Sequence, residues 1–165
     1  MLPKNCIYYG VVEKLSQQQI ECVVIERKAC IRPYNHFGDI IEVGYPKLLF
    51  AYKIKGVQVV ASAVVAAIDE FIKPRTPVYV FPYGNAFNNG SICMGTFHHP
   101  DVKPGDLTDV SFYPEVFYLI EHDQVKNQRK QEIKEILDKV TGKPFDNELL
   151  TVQCTFEQWV DRFSK

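Results

Sequence analysis

The chain has 165 residues, 46% of them hydrophobic and 24% charged, and its 19 basic and 20 acidic side chains leave a formal net charge of −1. That length buries a core without the help of metals or disulfides, which predicts one globular domain over residues 1–165. With no block of Lys and Arg, the chain lacks the electrostatic footprint of a nucleic-acid binder.

Residues 1–6 carry neither the charged segment, the apolar core nor the small-residue cleavage site of a secretory leader. Ile7 to Val12 and Ile20 to Ile25 are rich in β-branched and aromatic residues and predict two strands, joined by a hairpin connection over residues 14–18. Residues 31–46 hold Pro33, Asn35, Gly38, Gly44 and Pro46, the composition of a long loop. Leu48 to Ile54 and Val57 to Val65 predict a second hairpin turning at Lys55-Gly56. The near-continuous apolar run of its second arm suits a strand covered on both faces, or a buried helix from Val64 to Phe71. That run, 57–68, is broken by Gln58 and Ser62 and is too short to span a bilayer, so no membrane partner is expected.

Pro74 to Pro77 interrupts the chain before a short strand, Val78 to Phe81, and residues 98–109 read as a Gly/Pro/Asp-rich loop. Residues 113–122 are apolar enough for a buried helix. A clearer helix runs from Asn127 to Val140, with Ile133, Ile136, Leu137 and Val140 on one face and Gly142 and Pro144 as stop signals. Thr155 to Gln158 has the form of a capping box, opening a last helix that carries Trp159, Val160 and Phe163. Four strands followed by helices predict an α+β fold, a four-stranded antiparallel sheet with helices packed on one side.

The five cysteines, at 6, 22, 30, 93 and 154, are odd in number and irregular in spacing. They do not form a disulfide framework and point to a reducing cytoplasm. Cys6, Cys22, Cys30 and Cys154 lie in strand-like or apolar surroundings and are assigned to structure. Cys93 stands apart. It follows Asn85 by eight residues, with Gly90 three positions before it and Ile92 and Met94 on either side. Acyl transfer through a cysteine needs an accessible sulfur nucleophile and a donor for the developing oxyanion, a role a side-chain amide can fill. It also needs a rigid turn to hold the two together, and Asn88-Asn89-Gly90 supplies turn chemistry.

This segment resembles the active-site signature of ubiquitin-conjugating enzymes: an asparagine, a short turn, then Gly-x-Ile-Cys and an apolar residue. Asn85 falls on the family's active-site asparagine, Cys93 on its catalytic cysteine, and Thr76 to Phe81 on the strand leading in. The family's His-Pro before the asparagine is Tyr83-Gly84 here, and neither its amino-terminal helix nor its Pro-Tyr-Gly-Gly segment is found. Together with Pro46 to Phe50 and the apolar stretch ending at His122, these departures resemble a bacterial branch, the PRTRC system protein B group. Members of that group are encoded beside ubiquitin-like, activating and isopeptidase proteins, and related bacterial operons include antiphage ones. The resemblance is strongest over residues 46–122. It implies a conjugating enzyme that receives a ubiquitin-like protein on Cys93 from an adenylating activating enzyme and passes it to an amine. Activation consumes ATP on the partner, so no cofactor is expected here.

Other readings stay open. His98 and His99 could act near a thioester, or with Cys93 form a thiol hydrolase. They could also hold a metal, but the chain has no CxxC or HxxxH and none is expected. His122 matches a histidine of the bacterial group and could equally be a core residue. Asp101, Asp106 and Asp109 could orient an incoming lysine. A non-catalytic scaffold that binds a ubiquitin-like partner is the principal alternative to the enzyme.

Overall fold

The computed structural model describes residues 1–15, 18–87, 90–127 and 129–165. Six strands form one antiparallel sheet: β1 (Cys6–Leu15), β2 (Gln18–Arg27), β5 (Lys47–Lys55), β6 (Gln58–Ala67), β7 (Pro77–Tyr79) and β9 (Val152–Thr155), in the order β1-β2-β5-β6-β7-β9. The expected four-stranded sheet is therefore extended by β7 and β9. A second sheet joins β3 (Cys30–His36) to antiparallel β4 (Asp39–Tyr45) and to the short parallel strand β8 (Glu121–His122). Three α-helices complete the described residues: α1 (Tyr113–Leu119), α2 (Ile133–Val140) and α3 (Phe156–Ser164).

Alternation along the central strands explains the layers, because successive side chains of a strand point to opposite faces. Val23, Ile25, Leu48, Phe50, Tyr52, Val64 and Ala66 face one way. They pack with Tyr34 and Tyr45 of the small sheet, Phe117 and Tyr118 of α1, and Ile133 and Leu137 of α2. Val24, Leu49, Ala51, Ala63 and Val65 face the other way, beneath Phe156, Trp159 and Val160 of α3. The helices thus cover both faces of the sheet, not one side as the sequence suggested. The double cover fits the apolar run read at 57–65, which from Gln58 lies in β6 where a helix was the alternative from Val64 onward, the strand being buried from Ala63 to its end at Ala67. No helix among the described residues is long and apolar enough to cross a membrane.

Residues 31–46, read as a loop, are instead the hairpin β3–β4. Its turn residues Phe37 and Gly38 have φ of 50° and 88°, and Asn35 accepts the Gly38 N–H at 3.0 Å. Positive φ at both central positions gives a turn whose twist matches the flanking strands. Pro33 is tolerated because β8 reaches only Asn35 and His36, leaving one edge of β3 open beside it. Gly44 serves close approach, since the chain leaving α2 crosses it at Lys143 to Phe145.

The helix expected from Asn127 begins only at Ile133. Asn127 Oδ1 accepts the backbone N–H groups of Arg129 and Gln131, a local competitor that holds these residues out of the helix. The apolar face is as expected, with Ile133, Ile136, Leu137 and Val140 all buried. Helix α1 stops at Leu119, so His122 lies on a strand and not on the predicted helix. The capping box forms: the Thr155 hydroxyl accepts from Gln158 N, and Gln158 Oε1 accepts from Thr155 N. Ser16 and Gln17 of the expected first hairpin connection lie outside the described residues.

Gly44→Ala should lower stability by about 1–3 kcal/mol, because its Cβ would collide with backbone that cannot rotate away. Urea denaturation of the two proteins measures this.

Candidate active site

The stretch from Asn85 to Cys93 folds back on itself. The Cys93 N–H donates to Asn85 O at 2.8 Å, the Phe87 N–H donates to Ser91 O at 2.8 Å, and Ala86 bridges Ile92. The returning arm is also added to the edge of β6: Val64 N donates to Gly90 O at 2.9 Å and Ile92 N to Ser62 O at 3.0 Å. Gly90 has φ +84°, and a Cβ there would stand 3.3 Å from Val64 O and 3.5 Å from the indole nitrogen of Trp159. Glycine thus supplies both the left-handed turn and the close approach. Asn88 and Asn89, read as turn residues, lie outside the described residues.

Asn85 is 6% exposed and has φ +64°. Left-handed backbone costs a non-glycine residue on the order of 1–3 kcal/mol, and asparagine is among the side chains that adopt it most readily. Three hydrogen bonds at roughly 0.5–1.5 kcal/mol each offset that strain. Asn85 N–H donates to Gln124 Oε1 at 3.1 Å, its Nδ2 donates to Glu121 O at 2.8 Å, and its carbonyl accepts from Cys93. One amide hydrogen is thereby committed to orientation, leaving the second for another acceptor.

Cys93 is half-buried and unbridged. It lines a pocket with Asn85, Met94, Phe97, Glu121 and Asp123, the two carboxylates being on exposed residues. Among the described residues no basic side chain lines this pocket, so its field favours a cationic visitor such as a lysine side chain. Glu121, Asp123 and Gln124 were not singled out from sequence. Their one signal was position, on either side of His122 just beyond the apolar stretch.

The histidines lie elsewhere. His98 is exposed and does not line the pocket. His99 stacks on Tyr113 at 4.4 Å, with Tyr52 and Phe97 edge-on, and burial lowers its pKa to about 4. His122 is fully buried, 4.5 Å from the Tyr34 ring and 5.6 Å from Phe117. The carbonyls of Phe117 and Gly84 face its ring without reaching hydrogen-bond geometry, and burial again lowers the pKa to about 4. Tyr83, where the family has its histidine, is buried and donates its hydroxyl to Gly44 O. Asn127 Nδ2 donates to Pro82 O at 3.0 Å, fastening the chain just ahead of the site.

A family model described as prokaryotic E2 family D matches residues 15–155. The chain belongs to that family. This bears out the resemblance to bacterial ubiquitin-conjugating-like proteins, and the match reaches well beyond residues 46–122. No curated protein and no solved structure matches. Membership in this E2 family supports a conjugation-related role, within a ubiquitin-like pathway.

The buried His122 and the half-buried His99 of this E2-like protein predict a pH dependence. Their folded pKa, about 4, lies below the unfolded value of 6.5, so the unfolded chain binds more protons between the two. Stability should fall as pH drops from 6.5 to 5, and the slope should flatten in a His99→Phe, His122→Phe double variant. Urea midpoints across that range test it.

Proposed function

We propose that the protein is a conjugating enzyme that carries a ubiquitin-like protein as a thioester on Cys93. The observation that carries this reading is the shared pocket of Cys93 and Asn85, held by one backbone hydrogen bond in a chain of the E2 family. In the first step Cys93 Sγ attacks the thioester carbonyl of the modifier on its adenylating activating enzyme. A new C–S bond forms, the old one breaks, and the activating enzyme's cysteine leaves carrying the proton given up by Cys93.

In the second step an amine attacks the Cys93 thioester. The free hydrogen of the Asn85 amide meets the oxyanion, the C–S bond breaks, and the amine proton passes to the departing sulfur. Losing one such donor costs acyl-transfer enzymes roughly 10²–10³ in rate. Asp123 and Glu121 draw the protonated acceptor amine to the pocket, where it gives up one proton to solvent before it attacks as the free amine. The Pro46 to Phe50 and 81–95 segments resemble the PRTRC system protein B group, and on that resemblance an isopeptidase would be a further partner. Antiphage defence, the setting of some related bacterial operons, or plasmid maintenance would be its biological role.

One observation favours a second reading, a non-catalytic scaffold for a ubiquitin-like partner: half of the Asn85 donor capacity is already spent on Glu121 O. The hydrolase reading has less support, since His99 is stacked on Tyr113 with two further rings edge-on, and neither His98 nor His99 lines the Cys93 pocket.

Single-turnover discharge separates these readings. The wild type, loaded by its activating enzyme and ATP, should show a thiol-sensitive band that free lysine discharges. Cys93→Ala should load nothing while keeping its melting temperature. Asn85→Ala should load normally and discharge roughly 10²–10³ more slowly. A wild type that binds the modifier without ever forming the band is the scaffold.

A further inference from the structure

A second pocket lies on the opposite face of the sheet from α1 and α2, between β5, β6 and α3. It is lined by Lys53, Ser91, Gln153, Trp159, Arg162 and Lys165, among others, and no acidic side chain contributes to it. The contrast with the acid-lined Cys93 pocket is complete in sign. None of Lys53, Arg162 and Lys165 takes part in an ion pair among the described residues. Basic residues in the last turn of α3 complement the helix dipole, which accounts for Arg162. It does not account for Lys53, which projects from β5 and sits 5.6 Å over the Phe163 ring.

Two buried polar atoms at this pocket also lack partners. Trp159 is 1% exposed, and its indole N–H has no hydrogen-bond partner among the described residues. The side-chain oxygen of Gln153 is likewise buried and unpaired. Leaving a buried polar group unsatisfied costs about 1–3 kcal/mol, so two at one cationic pocket call for a ligand. A protonated phosphate oxygen would donate to Gln153, and its bare oxygens would accept from the indole and the cations.

We propose that this pocket binds a phosphate group, with Arg162, Lys53 and Lys165 supplying charge and Trp159 a buried donor. The site adjoins the segment that bears Cys93. Ser91 lines it, two residues before the cysteine, and Gly90 stands against the Trp159 indole while bonded to β6. Occupancy would therefore be felt in the backbone that positions the nucleophile. The inference does not depend on Cys93 forming a thioester.

Trp159 is the only tryptophan of the chain, so its indole N–H gives a single cross-peak in a nitrogen–proton spectrum. Titration with inorganic phosphate at constant ionic strength should shift that peak, and the Gly90 and Ser91 amides, along one saturable curve with a midpoint on the order of 1 mM. Arg162→Gln, a change at an exposed residue, should weaken the midpoint about tenfold, the loss of one charge-assisted contact. Cys93→Ala should leave it unchanged, separating this site from the acyl-carrier reading. Phenyl phosphate binding more tightly than inorganic phosphate assigns an organic phosphate, the ring adding contact with Phe163; equal midpoints assign the free ion. A shift that does not saturate, that chloride reproduces, or that survives Arg162→Gln unaltered overturns the proposal.

Discussion

Edge pairing between the Gly90–Ile92 arm and β6 is the constraint on which the site depends. Loops rarely hold two side chains in a fixed relation, because their backbone groups can turn to water. Here the returning arm donates to and accepts from a central strand, and its other side closes on Asn85 and Phe87. Cys93 thereby inherits the position of the sheet. The same pairing lets glycine alone occupy position 90, where the strand carbonyl of Val64 and the indole of Trp159 leave little room for a side chain.

The sheet is in turn fixed by being covered twice. One face packs on the small sheet, α1 and α2, and the other on α3, so the strand that holds the cysteine arm is buried from Ala63 to Ala67. A second fastening comes from beyond α1. Glu121 and Gln124 hold Asn85, and Asn127 holds Pro82, so the asparagine is set by the segment that also supplies the pocket's carboxylates. Asn85 and Cys93 are thus two ends of one hydrogen-bonded turn, with the carboxylates of Glu121 and Asp123 in the same pocket.

Much of this was legible in residue order. The periodicity at Ile133, Ile136, Leu137 and Val140 gave the buried face of α2, and Thr155 with Gln158 gave the start of α3, because both signals are local. The β3–β4 hairpin was not legible. Pro33 and Gly44 look like breakers, and only the open edge of β3 and the crossing chain at Lys143 explain them. The short strands β8 and β9 depend on partners far away in sequence, and so does the placement of α3 on the second face. At the site, the spacing of Asn85 and Cys93 was readable. Glu121 and Asp123, which line the pocket, and Gln124, which binds Asn85, were not, since only the fold brings the segment after α1 to the site. Nor did sequence show that His122 is enclosed by aromatic rings, which burial alone reveals.

Intact mass spectrometry of the protein purified from cells that co-express its neighbouring genes tests the acyl-carrier account most directly. The wild type should carry an adduct of the size of a ubiquitin-like protein that thiols remove, and Cys93→Ser should carry the same mass as a thiol-resistant ester. Absence of the adduct from both, with the activating enzyme and modifier present and active, would contradict the account and leave a fold that binds without transferring.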